Sequence, residues 1–396
     1  MKNILFLVHR IPYPPNKGDK IRSYHFLKGL ANKYQVHLAT FIDDPDDWQY
    51  TDKVKALSAS CFFTKINPLL AKIKSLSGFL SNQALSLPFY KNAQMQKWVD
   101  QTIKDNKIEK IFIFSSVMAQ YVAKHQNIET IIDFVDVDSD KWLQYSEKKS
   151  WPMNWVYKRE AQKLLKFDSR VAKSAKVSLF VSEEESKLFK KLVEIESNKI
   201  SYVNNGVDIN YFNVDEKYQM PYPSHENIIV FTGAMDYWAN VDAVIWFVNE
   251  VFPLIKKQNN KAQFYIVGSK PTKQVMLLAN HQDVFVTGRV EDIRPYLFFS
   301  NVVIAPLLIA RGIQNKVLEA MAMGKPVVVT PQAIEGIKII DEDVYTLDNA
   351  IDFSRQVIEL LGADQAASLF VEKNRQFVEQ NFSWDASLNK LTDLID

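Results

Sequence analysis

Cysteine and glycine are both scarce in this chain of 396 residues. The single cysteine, Cys61, excludes an internal disulfide framework and any zinc or iron–sulfur site built on cysteines. It also fits a reducing compartment, so we expect a cytoplasmic protein. Eleven glycines are far fewer than the ~7% of an average protein. Each glycine is therefore more informative than usual about a backbone position that requires it.

The chain also has no excess of either charge and no long apolar run. Lys and Arg number 48 and Asp and Glu 46, a net charge of +2, which argues against a nucleic-acid partner. The chain contains no run of about 18 apolar residues, so the sequence predicts no membrane-spanning helix. The apolar residues 4–8 follow Lys2, but the run is too short for a signal peptide and no cleavage site follows it. These residues predict a buried first strand instead.

Several common catalytic signatures are missing as well. No G-x-G-x-x-G follows the first predicted strand, which argues against a nicotinamide or flavin dehydrogenase. Gly324 and Lys325 are followed by Pro326, so this segment is not a P-loop. The chain has no G-x-S-x-G and no H-E-x-x-H motif, and its six histidines lack the spacing of metal ligands. We therefore predict no bound metal ion.

What the sequence does contain is a regular alternation of short apolar runs and longer amphipathic stretches. This pattern is typical of an α/β protein with parallel sheets covered by helices. The predicted strands are 4–8, 36–41, 61–66, 111–114, 131–134, 177–181, 228–231, 264–267, 284–287, 302–305 and 327–330, with helices at 241–258 and 317–323 among them. The rhythm fails between 204 and 226, so we predict domains at 1–204 and 227–380, a linker at 205–226 and a last helix at 381–396.

The most informative segment follows the strand predicted at 302–305. A turn containing Gly312 leads into a helix that ends near Gly324. Amides at a helix N-terminus, together with Lys316, are suited to a diphosphate. Glu319 lies about one turn inside the helix, where its carboxylate can accept two hydrogen bonds from a ribose diol. The alternative is an ordinary strand–helix–strand unit in which Glu319 is solvated.

This segment resembles the nucleotide-sugar signature of retaining glycosyltransferases of family 4, which have the GT-B architecture of two Rossmann-like domains. Short motifs that match this family lie along nearly the whole chain, at residues 14–19, 205–208, 231–233, 288–290, 315–322, 324–328 and 382–384. The resemblance implies parallel sheets that face each other across an interdomain cleft, with a C-terminal helix that packs back on the first domain. It also implies transfer without a metal or other cofactor, from a UDP- or GDP-sugar. The sequences of residues 10–15, 136–142 and 310–316 resemble those of a branch of the family that is associated with exosortase (PEP-CTERM) and exopolysaccharide gene clusters.

The resemblance implies a set of residues that bind the donor. They are Gly18, Asp19, Gly233, Arg289, Arg311, Gly312, Ile313, Gln314, Asn315, Lys316 and Glu319. Two departures from the family lie in this set. Arg311 stands where an acidic residue is usual, and Ala234 follows Gly233 where an arginine is frequent, with Asn240 further on. Lys316 and Arg311 are therefore our candidates for the phosphate partners.

The third departure concerns the predicted catalytic residues of the first domain. Ser115 and Ser116 stand where the family has an active-site histidine. The next strand ends in an acidic run that contains Asp136 and Asp138. A calcium loop is disfavoured because Lys141 occupies the position that needs glycine. We predict that Asp136 or Asp138, with Ser115, orients a sugar; the alternative is a helix cap and solvated acids.

Residues 65–90 form a basic and apolar stretch that fits neither domain pattern comfortably. It contains five leucines and isoleucines between 69 and 80, beside Lys65, Lys72 and Lys74. One interpretation is a helix that covers the first sheet. The other is a surface that contacts an anionic membrane or a lipid-linked substrate.

These observations together predict a cytoplasmic glycosyltransferase that is peripheral to the membrane. It would move a sugar, with retention, from a nucleotide sugar to a glycan or lipid-linked acceptor in exopolysaccharide or cell-surface glycan synthesis. Two alternatives remain open. One is a nucleotide-sugar epimerase of the same architecture, and the other is a catalytically silent sensor or scaffold that binds sugar nucleotides.

Overall fold

The structure is a computed structural model that describes residues 1–15, 17–147, 149–195, 197–223, 227–310, 313–337, 344–362 and 366–395, with the backbone alone at 197 and 366–371. The chain divides into two compact units. The first comprises Met1–Asn204 with Leu388–Asp396, and the second comprises Asn205–Ser387. Each unit contains one parallel sheet and its own hydrophobic core. The predicted α/β class with two parallel, Rossmann-like sheets is confirmed.

The first unit is built on a seven-stranded sheet with the order β3-β2-β1-β4-β5-β6-β7. Its strands are β1 (Lys2–Val8), β2 (Tyr34–Ile42), β3 (Ser60–Lys65), β4 (Lys110–Phe114), β5 (Glu129–Val135), β6 (Val177–Phe180) and β7 (Ile200–Tyr202). Its helices are α1 (Gly18–Ala31), α2 (Thr51–Lys55), α3 (Pro68–Ser75), α4 (Ser77–Leu80), α5 (Ser86–Phe89), α6 (Ala93–Asp105), α7 (Asp138–Glu147), α8 (Met153–Ser174) and α9 (Glu183–Leu192).

The second unit is built on a six-stranded sheet with the order β10-β9-β8-β11-β12-β13. Its strands are β8 (Ile228–Thr232), β9 (Gln263–Val267), β10 (Val284–Gly288), β11 (Val302–Ala305), β12 (Val327–Val329) and β13 (Val344–Thr346). Its helices are α10 (Trp238–Trp246), α11 (Phe252–Gln258), α12 (Lys273–Leu277), α13 (Arg294–Phe298), α14 (Asn315–Ala322), α15 (Pro331–Ile334), α16 (Ala350–Leu361) and α17 (Ala366–Phe382). The last helix is α18 (Trp384–Ile395).

The central strands are apolar along their length because both of their faces are buried. All five residues at 4–8 in β1 are fully buried, and β1 pairs in parallel with both β2 and β4. Such a strand is a continuous apolar run rather than an alternating one. Because the strands are parallel, the loops after β1, β4 and β5 all leave the same edge of the first sheet. That edge is where open α/β sheets commonly bind ligands.

A buried ion pair ties helix α1 to this edge. Arg22 of α1 has no exposed surface, and its Nε donates to Asp133 Oδ2 of β5 at 2.7 Å. Its Nη1 donates to the carbonyl of Val203, just after β7, at 2.6 Å. Burial raises the pKa of the Asp133 carboxyl, and the guanidinium opposes that rise. One arginine therefore connects α1 both to β5 and to the chain just after β7.

The end of the chain contacts both units. In the second unit, the N–H of Val207 donates to the carbonyl of Phe382 at 2.7 Å, and a Cβ on Gly206 would lie 2.6 Å from the backbone nitrogen of Trp384. Gly206 is therefore required for this close approach. From Leu388 onward α18 belongs to the first unit, where the Lys390 ammonium lies 3.5 Å from the centroid of the Tyr202 ring.

Candidate functional site

The N-terminal turn of α14 lies in the second unit, directly after Ile313 and Gln314. Ile313 is buried, and no side chain caps the helix at Gln314. The backbone N–H groups of Asn315 and Lys316 have no acceptor among the described residues. These amides form the positive end of the helix dipole. The turn can therefore accept an anionic group.

Lys316 directs its ammonium group to the carboxyl end of β8. Its Nζ donates to Asn240 Oδ1 at 2.5 Å and lies 4.2 Å from the centroid of the Phe231 ring. The side chain is half-buried. Burial lowers the pKa of Lys316 to about 7, and the nearby Glu319 carboxylate opposes that fall. An anionic ligand would restore full protonation of this lysine.

Two glycines make room for this lysine. Gly233 follows β8 with φ of 154°, and a Cβ there would lie 2.7 Å from Asn240 Nδ2 and 3.2 Å from Lys316 Nζ. Gly268 follows β9, and its Cβ would overlap the carbonyl oxygen of Gly233 at 1.6 Å. Asn240 is held in turn because its Nδ2 donates to the carbonyl of Ala234 at 2.9 Å. The backbone segments after β8 and β9 thus approach each other closely, and Gly233 leaves the space that the Asn240 amide and the ammonium occupy.

Glu319 lies on the same face of α14 as Lys316, three residues further along the helix. Burial raises the pKa of Glu319 to about 7, and Lys316 opposes that rise. The side chain is half-buried, and its carboxylate accepts no hydrogen bond from the residues that the structure describes. A carboxylate in this state can accept hydrogen bonds from a ligand.

The other predicted donor-binding residues are placed as follows. Asn315 Oδ1 accepts from Asn205 Nδ2 at 3.3 Å. Arg289 is exposed and follows Gly288, whose φ of 69° turns the chain after β10. The structure gives Arg289 no contact with Lys316 or Glu319. Arg311 and Gly312 lie outside the described residues, so their predicted roles stay predictions.

In the first unit, Gly18 and Asp19 begin α1. Gly18 is exposed, and a Cβ there would meet nothing within 4 Å. Asp19 Oδ2 accepts from Arg10 Nη1 at 2.6 Å and lies 3.6 Å from His9 Nε2. Burial would raise the pKa of Asp19, but His9 and Arg10 outweigh it and hold that pKa well below its usual range. The Asp19 carboxylate is therefore ionised.

The predicted catalytic residues follow β4 and β5 at the same sheet edge. Ser115 has φ of 74°, a strained conformation for a serine, and its N–H donates to the carbonyl of Asp133 at 2.8 Å. Lys141 Nζ donates to Asp136 Oδ2 at 2.5 Å and to Asp138 Oδ1 at 3.3 Å. Lysine thus occupies the space between these two carboxylates. The described residues include no group of three or more His, Cys, Asp or Glu placed to hold a metal ion.

Three residues at this edge were not predicted from the sequence. His9 and Arg10 follow β1, and Asp43 follows β2. Arg10 Nε donates to both oxygens of Asp43 at 3.1 Å, and its Nη1 holds Asp19. The sequence signal was the pair His9-Arg10 directly after a buried strand, which is a common position for ligand contacts.

Residues 226–363 match a family model described as Glycosyl transferases group 1. That range contains Gly233, Asn240, Lys316 and Glu319. No curated protein sequence matches the chain.

Solved structures resemble the whole chain. HepE of Anabaena, in complex with UDP-glucose, has a TM-score of 0.69 at 14% identity and covers 99% of both chains. Sucrose-phosphate synthase of Thermosynechococcus elongatus has a TM-score of 0.71 at 15% identity, over 100% of this chain and 98% of that one. WaaG, a glycosyltransferase involved in lipopolysaccharide biosynthesis, has a TM-score of 0.67 at 15% identity over 99% of both. At these identities the likeness shows the fold, which is that of GT-B glycosyltransferases.

Proposed function

We propose that the protein is a glycosyltransferase that takes its sugar from a UDP- or GDP-sugar. The observation that carries the proposal is the pairing of Lys316 and Glu319 on one face of α14, above the glycines at the ends of β8 and β9. The match of residues 226–363 to the group 1 glycosyltransferase model supports it. So does the likeness in fold to HepE, whose structure holds UDP-glucose.

Each part of this site has a role in donor binding. The amides of Asn315 and Lys316 and the Lys316 ammonium bind the diphosphate, and Glu319 accepts hydrogen bonds from the two ribose hydroxyls. As the sugar leaves, negative charge grows on the diphosphate, and preorganised donors stabilise it. Removing one such donor commonly lowers the rate by on the order of 10²–10³. This chemistry uses the chain's own cations and no metal ion.

The remaining features of the proposal concern the acceptor and the stereochemistry. Ser115, Asp136 and Asp138 of the first unit orient a sugar at the carboxyl edge of its sheet. The resemblance to family 4 supports retention of the anomeric configuration. The resemblance to the exosortase-associated branch supports a role in exopolysaccharide or cell-surface glycan synthesis. The acceptor is a glycan or a lipid-linked saccharide.

The protein works on the cytoplasmic face of a membrane, which it contacts through an exposed apolar surface. Leucines and isoleucines between residues 69 and 80, which are between 56% and 93% exposed, form one part of it. The first turn of α8 and Trp151, two residues before that helix, form the other. The apolar surface comprises Leu69, Leu70, Ile73, Leu76, Leu80, Trp151, Met153 and Trp155. The ring of Phe79 stacks on Trp155 at 5.9 Å and joins the two parts. These leucines and isoleucines do not pack on the first sheet, whereas Ala71 of α3 is buried in the core of the first unit.

Charge and aromatic composition support an anionic bilayer as the occupant of this surface. Residues 68–80 and 151–159 contain no Asp or Glu, whereas Lys72, Lys74, Lys158 and Arg159 lie on the same helices. Tryptophan is favoured at the boundary between headgroups and acyl chains. Among the described residues, no helix is long and apolar enough to span a bilayer.

We expect the triple variant Leu69→Ser, Ile73→Ser, Leu80→Ser to lose co-sedimentation with phosphatidylglycerol vesicles while keeping its affinity for nucleoside diphosphates. The pair Lys72→Glu, Lys158→Glu should weaken binding in a salt-dependent way, since each lysine contributes about 1 kcal/mol near an anionic surface. The matched control is Met276→Ser, Leu277→Ser, which removes exposed apolar residues from the second unit. Wild-type protein that ignores these vesicles at low salt would contradict this assignment.

Replacing Lys316 by alanine is expected to weaken the binding of a nucleoside diphosphate about tenfold and that of the bare nucleoside less than twofold. The reason is that only the diphosphate carries the charge that Lys316 pairs. Calorimetric titrations of UDP, GDP and their nucleosides measure the difference. Lys261→Ala, an exposed lysine at the opposite end of β9, is the control. An equal loss for nucleoside and diphosphate would make Lys316 a structural residue.

A further inference from the structure

His9, the first residue after β1, is held between two aromatic rings. Its imidazole is parallel to the Phe114 ring at a centroid distance of 6.0 Å and meets the edge of Tyr90 at 5.9 Å. Phe114 is the last residue of β4 and is fully buried. These contacts fix the plane of the imidazole at the carboxyl edge of the first sheet.

Neither nitrogen of this imidazole has a hydrogen bond within the part of the chain that the structure describes. Nδ1 is buried without a partner. Nε2 lies 3.6 Å from Asp19 Oδ2, which is too far for a hydrogen bond, and 16% of the His9 side chain is exposed to solvent. The imidazole is therefore held with Nε2 facing the Asp19 carboxylate across a gap longer than a direct hydrogen bond.

Asp19 cannot close the gap by itself because Arg10 holds it in place. Arg10 Nη1 donates to Asp19 Oδ2 at 2.6 Å, while Nη2 of the same guanidinium lies 2.9 Å from Asp43 Oδ2. The arginine is therefore shared between two carboxylates, and its charge is more than balanced. This net negative charge would repel an anion such as phosphate, whereas it would not repel a neutral hydroxyl group.

We propose that His9 Nε2 and Asp19 Oδ2 together bind one hydroxyl group of a carbohydrate at the carboxyl edge of the first sheet. A hydroxyl can accept a hydrogen bond from the imidazole N–H and donate one to the carboxylate at the same time. Charge-assisted bonds of this kind are stronger than neutral ones. The strained Ser115 follows Phe114 directly and lies at the same edge. The inference rests on the proposed function, since the carbohydrate is then the sugar substrate of the first unit.

The test is a proton NMR titration of the full chain, labelled at histidine Cε1, with methyl glycosides of glucose, mannose and N-acetylglucosamine. The His9 signal is identified by its loss in His9→Gln. We expect at least one glycoside to shift the His9 signal saturably, while the exposed His281 does not respond. Asp19→Asn should weaken the binding of that glycoside about tenfold, because a charged hydrogen-bond acceptor is lost. Asp52→Asn, an exposed carboxylate of the same unit, should leave it unchanged.

The inference is overturned if none of the three glycosides shifts the His9 signal at concentrations that saturate a millimolar site. It is also overturned if the shift is identical in Asp19→Asn. The binding of UDP and GDP to the same sample reports on the proposed function separately. If the sample binds a diphosphate but no glycoside shifts the His9 signal, this inference alone is refuted. If a glycoside shifts the His9 signal but no diphosphate binds, the proposed donor site alone is refuted.

Discussion

Glu319→Ala is expected to raise the dissociation constant of the nucleotide-sugar donor at least tenfold and to leave the fold intact. The carboxylate accepts no hydrogen bond from the described residues, so its removal breaks no hydrogen bond among them. What is lost is its pair of bonds to the ribose, and charge-assisted bonds are worth roughly 1.5–3 kcal/mol each before compensation. Calorimetric titration of the donor measures the effect, with circular dichroism as the check on folding.

The same residue predicts a pH dependence whose sign can be worked out. Burial raises the pKa of Glu319 to about 7, so in the free protein the carboxylate is lost as pH falls below 7. A nucleoside that depends on Glu319 should therefore bind more tightly as pH rises through 7. Burial lowers the pKa of Lys316 to about 7, so its charge is lost above that pH. The affinity of the diphosphate should then pass through a maximum near pH 7.

The control for these titrations is Glu335→Ala, which removes an exposed glutamate from the same unit. It should leave both the affinity and its pH dependence unchanged. If Glu319→Ala binds the donor as the wild type does, Glu319 does not contact the ribose. A nucleoside affinity that is flat between pH 6 and pH 8 would contradict the assignment in the same way.

Arg22→Met is expected to produce the largest loss of stability among the changes considered. It leaves the Asp133 carboxyl fully buried without its partner, and removing one member of a buried pair costs about 3–5 kcal/mol. It also removes the donor to the Val203 carbonyl. Urea unfolding of the full chain measures this loss as a fall in the midpoint of the first unit's transition.

Two variants sharpen this prediction. Arg22→Met combined with Asp133→Leu should recover part of the loss, because an apolar pair leaves no buried charge. Arg170→Met removes an exposed arginine from α8 of the same unit and should change stability by less than about 1 kcal/mol. A single variant Arg22→Met that is no less stable than Arg170→Met would show that the pair does not hold α1 on the sheet.

The strands were predictable where both faces are buried, and less so at the sheet edges. All eleven predicted strands are present, because runs such as 4–8 have no polar alternation to obscure them. Strands β7 and β13 were missed because each has three residues and lies at the edge of its sheet, too short for a period to be visible. The helix predicted at 241–258 is interrupted by a π-helical turn at Phe247–Val251, which the amphipathic period does not record.

The candidate site divides in a similar way. That Lys316 and Glu319 share a face follows from helix geometry alone, since they are three residues apart. The contact between Asn240 and Lys316 depends on which strands flank β8 in the sheet. The spacing of residues in the sequence does not contain that information. His9 seemed one of several scattered histidines because its neighbour Phe114 is distant in the chain. The donor-binding and catalytic roles of the predicted residues stay predictions.

The measurement that tests the central claim most directly follows a radiolabelled sugar. The full chain is incubated with UDP- or GDP-sugars and membranes of its source cells, and both the labelled sugar and the free diphosphate are quantified. We predict label in a lipid-linked or polymeric product, with one diphosphate released per sugar, only when membranes are present and not in Glu319→Ala. A sugar that stays on its nucleotide with changed ring configuration would instead show an epimerase. A donor that binds and is recovered unchanged would show a sensor, and either result would contradict the account.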